Sequence, residues 1–169
     1  MEDDRASEIL RALFDTAVAA ANPVEGVLAN LPPRPRGRTV VLSLGKAAIP
    51  MAEAFEKAWS EPVEGIAIAP HGQRAALRSI RLIPAGHPVP DAGSLAAAEH
   101  ALSLAAALGA DDLLVALISG GGSSLMSMPA PGITPEEKRE LGKALLKCGA
   151  NIAELNCVRK HISAVKGGL

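Results

Sequence analysis

A chain of 169 residues, 49% apolar and 21% charged, is long enough for one domain with a substantial core and has ordinary globular composition, which excludes intrinsic disorder. No apolar run approaches the roughly 20 residues of a membrane-spanning helix, and the acidic start Met1-Glu2-Asp3-Asp4 lacks the basic region of a signal peptide, so a soluble cytoplasmic protein with no membrane partner is expected. With 17 basic against 18 acidic residues, no Tyr, and Phe14, Phe55 and Trp59 as its aromatic residues, the chain offers neither a basic field nor a stacking platform, and nucleic acid is not an expected partner. Cys148 and Cys157 lack metal-ligand spacing and are expected to be reduced thiols.

Ile9, Leu10, Leu13, Phe14, Ala17 and Val18 recur at helical spacing, which predicts an amphipathic helix running to about Ala21 and ended by Pro23. A short helix through Val24 to Leu31 precedes a surface loop in which Pro32, Pro33 and Pro35 alternate with Arg34, Arg36 and Arg38. Strand Thr39–Leu44 then feeds helix Ala47–Trp59, and short strands 65–69 and 80–83 lead to an Ala-rich helix over about 93–108. Strand Leu113–Ile118 runs into a glycine loop and a helix start, and two further helices are expected at about Pro135–Cys148 and Asn151–Val165, the first with Thr134 and Glu137 in capping-box register. The order βαββαβ with apolar strands predicts an α/β fold, a mostly parallel Rossmann-like sheet covered by helices on both faces, with binding loops at the carboxyl ends of the strands.

Three such loops carry candidate chemistry. Gly120, Gly121, Gly122, Ser123 and Ser124 follow a buried strand, so backbone N–H groups and hydroxyls are available to a phosphate or carboxylate. The loop is neither a dinucleotide fingerprint, which would need glycine at Leu125, nor a G-x-S-x-G nucleophile elbow. Gly45-Lys46 is not a Walker A motif, since Ala47 replaces the Ser/Thr and Val40 the first glycine; Lys46 lies near the positive end of a helix, where an anion would compensate it, or is merely solvated. In Gly86-His87-Pro88-Val89-Pro90-Asp91 the prolines hold a rigid extended loop, on which His87 is either a donor to an anionic substrate or structural, and Asp91 or Ser94 caps the following helix. On the last helix Leu155, Val158, Ile162 and Val165 form an apolar stripe, and Asn156, Arg159, Ser163 and Lys166 line a flank about 80° wide, suited to a polyanion or else a solvated basic face.

The segments 44–48, 86–91, 118–124 and 156–163, continuing to Lys166-Gly167-Gly168, closely resemble the amino-terminal part of class II glycerate kinases (glycerate 2-kinases), some of which carry a hydroxypyruvate reductase label. The resemblance implies ATP-dependent phosphorylation of D-glycerate to 2-phosphoglycerate with Mg²⁺, in a cleft between two α/β domains. It implies Lys46 near the transferred phosphoryl group, phosphate or carboxylate on Gly45, Gly120, Gly121, Gly122, Ser123 and Ser124, and Arg159 and Lys166 as further anion contacts, with Arg159 and Lys46 as catalytic candidates. His87 and Asn156 join the binding set, and no metal ligand is assigned. Residues 1–169 are then expected to be the amino-terminal domain of a longer kinase, inactive alone, with small-molecule substrates and a homo-oligomer compatible with it. Two other readings stay open: an NAD(P)H-dependent hydroxypyruvate reductase, which the missing G-x-G-x-x-G disfavours, and a non-catalytic phosphosugar- or carboxylate-binding module.

Overall fold

The computed structural model describes residues 2–167, with side chains from Asp4; Met1 of the acidic start and Gly168 of the last family segment lie outside the described residues. Helices α1 (Glu2–Ala20) and α2 (Pro23–Ala29) come first, and Pro23 opens α2 rather than merely ending α1. Proline costs nothing at that position because its missing N–H would have no intrahelical partner, and the Asn22 side chain caps the turn by accepting from Val24 N at 3.0 Å.

Strand β1 (Thr39–Leu44), helix α3 (Ala48–Ala58), strands β2 (Val63–Pro70) and β3 (Ile80–Ala85), helix α4 (Ala92–Ala106) and strand β4 (Leu113–Ile118) follow. They form one four-stranded sheet in the order β3-β2-β1-β4, and every neighbouring pair is parallel. Pro84 sits within β3, an edge strand, where a missing amide is tolerated. One face packs Val41, Ala67 and Ile80 against Val27 of α2 and Met51, Ala52 and Phe55 of α3, with Phe55 stacked on Trp59 at a centroid distance of 5.1 Å. The other packs Leu44, Ile66, Ile68 and Ala85 against Ala97 and Ala101 of α4.

Coverage is incomplete on the outer strand. Leu114, Ala116 and Ile118 share the α4 face through their register with Val40, Leu42 and Leu44, yet α4 packs on β2 and β3, leaving Leu114 39% and Ile118 69% exposed. Beyond β4 come the single turn α5 (Gly122–Leu125), then α6 (Pro135–Lys147) and α7 (Ile152–His161). Thr134–Glu137 and Asn151–Glu154 form reciprocal capping boxes at the starts of α6 and α7. The expected last helix is shorter at its end: α7 stops at His161, Ser163 pairs with Pro129 in an isolated antiparallel bridge, and Ser163 and Lys166 leave the helical flank on which they were placed.

Candidate functional site

The carboxyl ends of β1 and β4 are adjacent in register, so the turns that follow them are forced together. Ser119 N donates to Leu44 O at 2.8 Å, and Lys46 N donates to Gly120 O at 2.8 Å. Ala47 N donates to Ser119 Oγ at 3.0 Å, which in turn donates to Leu44 O at 3.3 Å. Ser119, expected in the candidate loop but without a binding role, is thus the clasp between the lysine turn and the glycine loop. Gly45 adopts φ +121°, and a Cβ there would collide with Ser119, which explains the glycine.

Gly121 has φ +94° and is the point where three segments meet. A Cβ on it would lie 2.8 Å from His87 Nε2 and 3.3 Å from Lys46 Cγ, so both side chains lie directly over this glycine. Ser124 N and Leu125 N donate to Gly121 O, and Met126 N donates to Gly122 O. Among the described residues, by contrast, the amides of Gly121, Gly122 and Ser123 have no bonded acceptor. Consecutive free amides in a turn with a left-handed residue form a concavity for an anion. Ser124 Oγ donates back to Gly121 O at 3.1 Å and stiffens the turn. Lys46 is exposed and half-buried His87 stands beside it.

Asp91 anchors the His87 loop. Its Oδ1 accepts from Ser94 N and Gly86 N, both at 2.9 Å, and Oδ2 bonds His71 Nε2 at 2.6 Å. Partial burial pushes the carboxyl up, but the hydrogen bonds from His71, Ser94 and Gly86 outweigh it and hold the pKa down to about 2. Asp91 and Ser94 both take part in the cap, as a reciprocal box. His71 was not legible as part of this arrangement, because its link to Asp91 spans 20 residues.

A cleft of about 440 Å³ opens beside the loop, with Ser123, Ser124, Pro88, Arg159 and Lys166 in its wall. Lys166 Nζ donates to Ser123 O at 2.8 Å. The expected neighbourhood of Lys166 and the glycine loop therefore exists, although a turn rather than a helix delivers the lysine. Burial and the nearby Arg159 charge lower the Lys166 pKa. Asn156 is exposed on α7 and stays outside the cleft wall. Lys138, missed in sequence because it lies in the charged run Glu136 to Glu140, enters the wall from α6. Among the described residues no group of three or more His, Cys, Asp or Glu side chains is placed to hold a metal ion.

Comparison with known proteins gives a consistent neighbourhood. A protein from Agrobacterium vitis named as a hydroxypyruvate reductase is 48% identical over 98% of this chain and 38% of its own length. A glycerate 2-kinase from Pyrococcus horikoshii is 44% identical over 79% of this chain and 30% of its length. The crystal structure of glycerate kinase from Thermotoga maritima superimposes with a TM-score of 0.86 at 34% identity, covering 98% of this chain and 40% of that one. The chain thus spans well under half the length of these relatives. A family model described as Domain of unknown function (DUF4147) matches residues 9–169, and the chain belongs to that family.

Proposed function

We propose that this chain supplies one wall of a glycerate kinase active site, and that the complete protein phosphorylates D-glycerate to 2-phosphoglycerate with ATP as donor. The observation that carries the reading is the meeting of Lys46, His87 and the free amides of 121–123 over a single glycine. Phosphoryl transfer passes through a transition state with charge spread over the equatorial oxygens, so a catalyst works mainly by positioning and neutralisation. The amides hold the moving phosphoryl group, Lys46 takes up its developing charge, and His87 donates to an oxygen of the bound anion. Ser119 keeps the two turns in fixed register, so these donors are preorganised.

Kinases of this kind use Mg²⁺ with the nucleotide; among the described residues no group of three or more His, Cys, Asp or Glu side chains is placed to hold it, and no step assigned to this chain runs through the ion. Against the reductase reading, whose name a relative bears, stands the missing fingerprint: Gly45-Lys46-Ala47 after β1 lacks the glycines with which a dinucleotide fold receives a pyrophosphate.

The test is a coupled assay for glycerate-dependent ADP release by the complete gene product, with Lys46→Ala beside the wild type. A turnover loss of about 100-fold or more with an unchanged melting temperature is expected for a charge acting in the transition state. Near-normal turnover in the variant removes Lys46 from the chemistry, and ligand binding without ADP release points to the non-catalytic module.

A further inference from the structure

The inner wall of the cleft holds a row of cations. Lys138, the fourth residue of α6, is half-buried, and its Nζ donates to Met128 O and, at 3.2 Å, to Ser163 Oγ. Lys166 Nζ donates to Ser123 O at 2.8 Å and Met126 O at 3.5 Å, so both ammonium groups sit on the carbonyls of the segment that continues from the glycine loop. Arg159 acts electrostatically on Lys166, and Lys166 on Lys138. Among the described residues none of the three forms an ion pair.

Half-buried cations without a carboxylate are costly, and a lysine in the first turns of a helix also opposes the helix dipole. Burial together with the Lys166 charge brings the Lys138 pKa down to about 8, in keeping with that cost. The cleft wall carries Lys138, Arg139, Lys143, Arg159 and Lys166 against Asp91 and Glu136; Lys143 is paired with Glu140 at 2.8 Å and Asp91 already serves His71, Gly86 and Ser94, which leaves Lys138, Arg139, Arg159 and Lys166 facing Glu136. Such an excess of positive charge is matched by an anion of several charges. The single carboxylate of glycerate does not match it; a di- or triphosphate does.

We propose that Arg159, Lys166 and Lys138 form the subsite for the polyphosphate of the phosphoryl donor, which leaves glycerate to the Lys46 and His87 side of the glycine loop. This division rests on the kinase reading. The free amides of 121–123 then lie between donor and acceptor, and the phosphoryl group being transferred sits on them. Lys138 and Arg159 bind the ground-state polyphosphate, so their removal acts on donor affinity.

The experiment measures KM for ATP and for glycerate with the complete gene product, and titrates inorganic tripolyphosphate by calorimetry, for wild type, Lys138→Met and Arg159→Gln. Loss of one charge-assisted contact is expected to raise the KM for ATP and to weaken tripolyphosphate about 10-fold, with the KM for glycerate within about twofold. The Arg159 side chain forms no hydrogen bond within the described fold, so Arg159→Gln gives the same split even where Lys138→Met is found unfolded by circular dichroism. A rise in the glycerate KM in place of the ATP KM, or no change in either, overturns the assignment. Should the wild type release no ADP, the kinase reading fails by itself. Tripolyphosphate binding that is weakened in Arg159→Gln then still supports the polyphosphate subsite, and absence of tripolyphosphate binding overturns it.

Discussion

Gly121 and Gly45 both occupy the left-handed half of backbone space, yet they answer to different neighbours. Around Gly121 the neighbours are the side chains of His87 and Lys46, which can swing aside, whereas Gly45 faces Ser119, whose backbone oxygen would lie 2.6 Å from an added Cβ. Alanine at either position pays about 1–3 kcal/mol of backbone strain. At Gly45 an unrelieved collision adds to it, and at Gly121 the displaced groups are those proposed to hold the anion. Gly121→Ala is therefore expected to lower turnover far more than its melting temperature suggests, and Gly45→Ala to lower melting temperature by the larger amount. Thermal melts run beside the glycerate-dependent assay separate the two; equal stability losses with equal activity would refute the distinction.

Capping carries the same logic to the elements. Asp91 starts α4 and at the same time ties Gly86 and His71, so one carboxylate fixes both the helix and the loop that presents His87. Loss of an N-cap costs about 1 kcal/mol, and the Gly86 amide also loses its acceptor, so Asp91→Ala is expected to destabilise by somewhat more than that and to depress activity through His87. Its folded pKa of about 2 lies below the usual 3.8, so the stabilising contribution is complete above pH about 4 and fades as pH falls toward 2. Urea melts should show the wild type and Asp91→Ala differing at pH 6 and converging near pH 2; a constant gap would exclude the carboxylate as the cause. The cap was legible in the sequence, because Asp followed by Ser three residues on, ahead of an Ala-rich run, is a local signal. The parallel strands were legible for a similar reason, as apolar runs bounded by glycine and proline. Lys138 and the clasping role of Ser119 were not, because each works through partners far along the chain: Ser163 for the first, Leu44 and Ala47 for the second. Periodicity also carried the last helix past His161, where the 129–163 bridge takes the backbone instead.

On the scale of the whole molecule, the side of the sheet away from β3 is open. Among the described residues β4 ends the strand order and one row of its backbone groups has no strand partner, while Leu114 and Ile118 stand exposed on its outer face. Helix α1 adds a second apolar surface: Ile9, Leu10, Leu13, Phe14 and Val18 share one side of it and are each more than half exposed. Exposed apolar area and an unpaired strand edge each favour association with other chains. The 169-residue chain is therefore expected to self-associate at micromolar concentration and to bind an apolar fluorescent dye. Lys at position 118 sets a charge on the edge strand at little folding cost, since Ile118 is 69% exposed. Ile118→Lys should shift sedimentation toward the monomer and lower dye binding, with circular dichroism unchanged. Unaltered sedimentation would place the association elsewhere, and the parallel substitution Phe14→Lys would then show whether α1 carries it; if both variants sediment as the wild type does, neither apolar surface drives association.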